Sequence, residues 1–181
     1  MTLTALFISC SVIMGFILAP IPNLELMTAT IFLSGIILGK KAGLTTGLLT
    51  AFIWSVLNPW CSGFAYPFLL VAQCFSLSII GAAGGIIRKV ADPAKICFRT
   101  IVIFGLSGFL LTLLYELLTN LSIITIAGFS FSMIKTYFLA GIPFAALHVI
   151  SNSVIYGGVL PTVLNRLTKR GLLKGLFFQS D

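Results

Sequence analysis

A few polar side chains stand out in an otherwise apolar chain: Glu25, Asn58, Gln73, Tyr115, Glu116 and Asn120. Further on, His148, Asn152 and Tyr156 recur every four residues and would share one face of a helix. Carboxylates and amides of this kind can hydrogen-bond a small solute, and Trp54 and Tyr115 offer flat walls for stacking. His148 has three readings: a ligand contact, a proton relay, or a hydrogen bond between helices. Glu116 is the sharpest candidate, because a carboxylate costs several kcal/mol in a bilayer unless it is paired or wet. The binding set read from the sequence is therefore Glu116, Asn120, Gln73, Trp54, Asn58 and Tyr115, with His148 and Asn152 as a pocket floor.

Catalytic chemistry has no comparable support. Neither H-E-x-x-H nor G-x-S-x-G occurs. Gly35 to Lys41 imitates a phosphate loop, but it is one residue short between its glycines and has Lys41 where Ser or Thr belongs. Cys10, Cys61, Cys74 and Cys97 lack metal-ligand or redox spacing. The expectation is a protein that is not an enzyme and uses no metal or other cofactor.

These residues need elements to position them, and composition says which solvent those elements meet. The chain has 181 residues, of which 59% are hydrophobic and 8% charged. A soluble domain carries roughly 25% charged residues, so the apolar excess must face lipid. About 20 apolar residues make a membrane-crossing helix. Spans are expected at 2–19, 24–39, 42–57, 67–87, 100–118 and 136–160. The first reads as a retained span, since it has no basic region before it and no A-x-A cleavage pattern after it. On these bounds Glu116 is about 16 residues into the fifth span, in its outer third at ~1.5 Å rise per residue. Gln73, Asn58 and Glu25 fall at the same level.

The stretch 120–134 reads as an outer loop or an interfacial helix, and 161–178 as a basic helix on the cytoplasmic surface. The fold expected is an all-α integral membrane protein, a compact bundle of six transmembrane helices forming one domain over 1–181.

Net charge is +7, from 11 Lys and Arg against 4 Asp and Glu. The basic residues cluster between apolar runs without the aromatic interleaving of nucleic-acid binders, so no nucleic-acid partner is expected. Lys40, Lys41, Arg88, Lys89, Lys95, Arg99, Arg166, Lys169, Arg170 and Lys174 fall on one side, and Lys135 alone on the other. That asymmetry puts both chain ends in the cytoplasm.

Helices in lipid associate through close packing, for which small residues are needed. They recur in pairs: Gly35 and Gly39, Gly43 and Gly47, Gly81 and Gly85, then Gly105 and Gly108. Ala5 and Ser9 put two small residues on one face of the first helix, either for internal packing or as a docking face for a second membrane protein.

Taken together, these residues resemble the substrate-binding S components of energy-coupling factor transporters. The likeness runs through most of the chain. It is carried by Ile21-Pro22-Asn23-Leu24-Glu25-Leu26, by Leu33-Ser34-Gly35-Ile36-Ile37-Leu38-Gly39, and by Gly43 and Gly47. It continues in the Asn58-Pro59-Trp60 turn, Tyr66-Pro67-Phe68, and Gly81-Ala82-Ala83-Gly84-Gly85 before Arg88. The resemblance implies a prokaryotic cell (inner) membrane protein that takes up a vitamin-like small molecule or a metal. It also implies two kinds of partner: a T component as membrane scaffold and a pair of cytoplasmic ATPases. In that family the scaffold meets an Ala-x-x-x-Ala face on the first helix; Ala5 matches, and Ser9 departs from the strict motif.

Two other readings remain open: a scaffold protein of the kind found in the rod-shape machinery, and a stand-alone small-molecule carrier. The predicted topology has a direct check. Cys61 should react with an impermeant thiol reagent applied outside, and Cys97 should not. The reverse labelling would overturn it.

Overall fold

The computed structural model describes residues 1–21, 23–58, 66–90, 96–127 and 130–173, with the side chains of 123–127 and 133 excepted. Among the described residues all regular structure is helical. In chain order the elements are α1 (Thr2–Leu18), α2 (Met27–Leu38), α3 (Lys40–Leu57), α4 (Pro67–Ile87), α5 (Phe98–Ala127) and α6 (Phe131–Val154). A π-helical turn (Ile155–Val159) then leads into α7 (Leu160–Lys169). Three helical stretches are long and apolar enough to cross a membrane: Pro67–Ile87, Phe98–Ser122 and Ile134–Lys169. Thr2–Leu18 and Met27–Leu38 are apolar but shorter. The chain has the character of a membrane protein.

The first four helices follow the expected spans closely. Pro67 opens α4, where a missing N–H costs nothing. Gly39 ends α2 and begins α3 with φ 95°, a backbone conformation that excludes most side chains. As expected of a small residue paired with Gly35, it lies at a close approach, where a Cβ on Gly85 would meet its carbonyl carbon, and it also joins the two helices.

Of the two readings of 120–134, loop or interfacial helix, the described residues favour helix, because α5 continues to Ala127 and α6 starts at Phe131. Its hydroxyls look like loop chemistry but bond back into their own helix. Thr119 Oγ1 donates to the Tyr115 carbonyl at 2.8 Å, and Ser122 Oγ to the Thr119 carbonyl at 2.6 Å. The basic segment expected as a surface helix over 161–178 is helical from Leu160 to Lys169. Pro161 falls in the first turn of α7, just past the π-turn, so the helix runs on to Lys169. Leu160 and Leu164 on α7, and Leu173 beyond it, are buried in the core; residues 174–178 lie outside the described residues.

Glycine governs the packing of α2, α3 and α4. A methyl group on Gly81 would land on the carbonyl of Gly43, and one on Gly43 or Gly35 would land on the carbonyl of Gly81. Gly84 meets the Phe32 backbone, and Gly85 meets Lys40. Beside this seam Phe32 packs edge-on against Phe104, 5.8 Å between ring centres, and tilted against Tyr156 at 4.9 Å. The α5–α6 pair closes similarly at Gly108, against Tyr156, and at Gly157, against Ile101 and Gly105.

Gly85 at Lys40, together with Arg99 Nη2 donating to the Val90 carbonyl at 3.4 Å, gathers Lys40, Lys41, Arg88, Lys89 and Arg99 at one end of the bundle. At the opposite end α2 and α4 begin and α3 finishes.

The glycine seam predicts a contrast between two matched substitutions. Gly81→Ala forces a methyl into backbone and should cost about 1–3 kcal/mol, the usual range for overpacking. Gly141, with open space around its Cα, should accept alanine without loss. Thermal unfolding of both variants in detergent checks this; equal melting temperatures would refute backbone contact at Gly81.

Candidate functional site

A cavity of about 340 Å³ opens at the end of the bundle away from the basic cluster. Its walls are Gly15, Leu18 and Ala19 of α1 and its end, then Ile21, Asn23, Leu24 and Glu25 of the connection to α2. Met27, Trp54, Leu77, Tyr115, Glu116 and His148 complete it. Six helices therefore contribute besides that connection.

Each functional side chain is held from behind. Trp54 is near the end of α3, and its ring lies over Gly15, where a Cβ would collide with it. Phe16 packs against it edge-on, ring centres 5.1 Å apart. Asn58 caps α3, donating from Nδ2 to the carbonyls of Trp54 (3.0 Å) and Ser55 (3.1 Å). Ser55 Oγ donates to Gln73 Oε1 at 2.5 Å, tying α3 to α4. Tyr115 stands perpendicular to the His148 ring with centres 6.1 Å apart.

The centre of the site is an ionic bridge. His148 Nδ1 lies 2.6 Å from Glu116 Oε1, and its Nε2 lies 3.3 Å from Glu25 Oε1. A neutral imidazole has one N–H and would turn a lone pair on one of the two carboxylates. An imidazolium donates to both, and the shorter contact has the length of a charge-assisted hydrogen bond. Asn120 Nδ2 donates to the other oxygen of Glu116 at 3.3 Å. Asn152, fully buried, donates from Nδ2 to Thr112 Oγ1 (3.0 Å), Thr28 Oγ1 (3.3 Å) and Glu25 Oε1 (3.4 Å). Ser151 Oγ donates to the Asn23 carbonyl at 2.9 Å, pinning the Glu25 segment to α6. Asn23 adopts φ 60° there, which asparagine tolerates better than most residues.

The residues singled out from sequence divide in two. Trp54, Tyr115, Glu116 and His148 line the cavity; Asn58, Gln73, Asn120 and Asn152 lie outside its wall. The last four hold helices or orient carboxylates. Glu25 is the residue that sequence reasoning left out of the site, although its level had been recognised. Its signal was the oddity of a carboxylate just before an apolar helix. Ala5 and Ser9 are exposed on α1, whose buried residues are Ser11 and Gly15, so internal packing does not account for that pair.

The two carboxylates approach opposite nitrogens of one ring, so the bridge leaves no point where all three groups could converge on an ion. Among the described residues no three His, Cys, Asp or Glu side chains are grouped to hold a metal. The arrangement suits an organic solute better than a cation such as zinc.

Removing the ring should expose the repulsion it masks. His148→Ala leaves two carboxylates facing each other, and breaking a buried pair costs about 3–5 kcal/mol, less where water enters as here. Asn120→Ala removes one long hydrogen bond and should cost about 1 kcal/mol or less. Denaturation of both variants measures the difference; a His148→Ala protein as stable as the Asn120→Ala one would refute the bridge.

No family model, curated protein or solved structure matches the chain, so its functional reading rests on the cavity and the sequence.

Proposed function

We propose that the chain is the substrate-capturing membrane subunit of an energy-coupling-factor importer, binding a small vitamin-like molecule at its outer face. The observation that carries this reading is the cavity: mostly apolar walls, two aromatic faces and a few polar groups brought together from distant parts of the chain. In this reading six helices span a prokaryotic cell membrane, with the basic end in the cytoplasm under the positive-inside rule. The cavity then opens outward, as capture from outside requires.

In this reading a pair of cytoplasmic ATPases supplies the hydrolysis, consistent with a sequence in which no phosphate loop occurs. The exposed Ala5 and Ser9 give a smooth strip on α1, suited to close approach by a T-component scaffold in the same membrane. A pure scaffold protein would have no need of a polar, aromatic-walled cavity, whose ionic groups cost stability in an apolar bundle.

Gentle affinity purification of the tagged protein from its native membranes, with mass spectrometry of what is retained, tests the proposal. Recovery of a membrane scaffold with two ATPase chains is expected. Recovery of cell-shape or envelope-synthesis proteins, with no ATPases, would overturn it.

A further inference from the structure

Resting on the reading of the cavity as a capture site, we infer that its cargo carries a protonated nitrogen beside a flat ring, with Glu25 as the carboxylate that selects for that charge. Among the described residues, the cavity wall contains two carboxylates, one imidazole and no Lys or Arg. With the imidazole charged, the three groups still sum to one negative charge. In a medium of low dielectric that charge is expensive alone and favourable beside a cation. A carboxylate-bearing solute would add repulsion to its own desolvation, which is how a site rejects the wrong class. Trp54 and Tyr115 reinforce the preference, since an aromatic face attracts a cation and stacks against a ring.

The two carboxylates are not equivalent. Glu116 is held at 2.6 Å by His148 and supported by Asn120 on its second oxygen. Glu25 has longer contacts, 3.3 Å to His148 and 3.4 Å to Asn152, both on the same oxygen, with the Thr28 hydroxyl as a further partner. It also sits in the non-helical connection between α1 and α2, not within a helix. Glu25 therefore has the least to lose in turning toward a ligand. An incoming ammonium or ring N–H takes over the weak contact to His148, while the Glu116–His148 pair stays intact as the floor. About 340 Å³ accommodates a molecule of one or two rings, near the low end for ligand pockets.

Three probes with one skeleton separate charge from shape: phenethylammonium, 2-phenylethanol and 3-phenylpropanoate. Each is added at millimolar concentration to the purified protein in neutral phosphatidylcholine nanodiscs, and the shift in melting temperature is converted to relative affinity. Phenethylammonium should bind about tenfold or more tightly than either other probe, as a charge-assisted hydrogen bond implies. Glu25→Gln should abolish that preference, and Glu25→Asp should keep part of it. Glu116→Gln, which loosens the floor, should weaken all three probes together. Stabilisation by 3-phenylpropanoate, equal stabilisation by 2-phenylethanol, no stabilisation by any probe, or an undiminished preference in Glu25→Gln would each overturn the inference. If Glu25→Gln does not fold, the three probes on the unaltered chain decide. The partner purification fails independently: ATPases recovered with a carboxylate preferred would sink only the charge assignment, and an ammonium preferred without ATPases only the transporter.

Discussion

Backbone contact at Gly81 is the constraint on which the rest of the bundle depends. Lipid tails offer helices no hydrophobic reason to associate, so contact area and close approach must supply the attraction. Gly35, Gly43 and Gly81 bring α2, α3 and α4 together where no methyl group fits. That approach fixes how far each helix can slide or rotate. The start of α2 then presents Thr28 and the preceding Glu25, and the end of α3 presents Trp54, at one level. A looser seam would leave the aromatic wall and the carboxylate without a common register.

The other half of the site is assembled differently. Helices α5 and α6 meet through Gly108 and the π-turn glycine Gly157, and they carry Glu116, His148 and Asn152. The cavity lies where this pair faces the glycine-locked trio; that boundary is crossed by the contacts of Phe32 with Phe104 and Tyr156 and by polar bonds from His148 to Glu25, Asn152 to Thr28 and Ser151 to the Asn23 carbonyl. Of these the His148–Glu25 contact has both partners in the cavity wall, and in the capture reading it can be exchanged for a ligand bond at little net cost. Backbone packing cannot. The structure thus sets its permanent contacts at the glycine seam and its exchangeable one at the cavity.

Much of this was legible in the sequence because the relevant signals are local. Apolar run lengths located the first four helices, and the Gly43, Gly47, Gly81 and Gly85 spacing identified the surfaces that touch. Depth reasoning brought Glu116, Gln73, Asn58 and Glu25 to one level. It did not give direction, since depth along a helix says nothing of which way a side chain points. Gln73 and Asn58 share the level of the cavity and stand behind its wall, Gln73 meeting Ser55 and the Tyr115 hydroxyl, and Asn58 the Trp54 carbonyl. The reading of 120–134 stayed divided between loop and interfacial helix for a related reason. Ser and Thr signal loops by composition, but in a helix their hydroxyls can bond to carbonyls one turn back. A proline ends most helices, but Pro161 is harmless in the first turn after a π-helical break, so helix continues to Lys169.

The bridge itself explains why charged groups can stand in such a bundle before any ligand arrives. Two bare carboxylates beside apolar helices would repel each other and drive water into the seam. His148, reaching Glu116 with one nitrogen and Glu25 with the other, turns that repulsion into a link between α5, α6 and the start of α2. In the capture reading the arrangement suits binding, because the longer of its two contacts, to Glu25, can be given up while the Glu116 contact holds. A solute that can satisfy Glu25 replaces one weak contact with a stronger one and leaves the rest of the site standing.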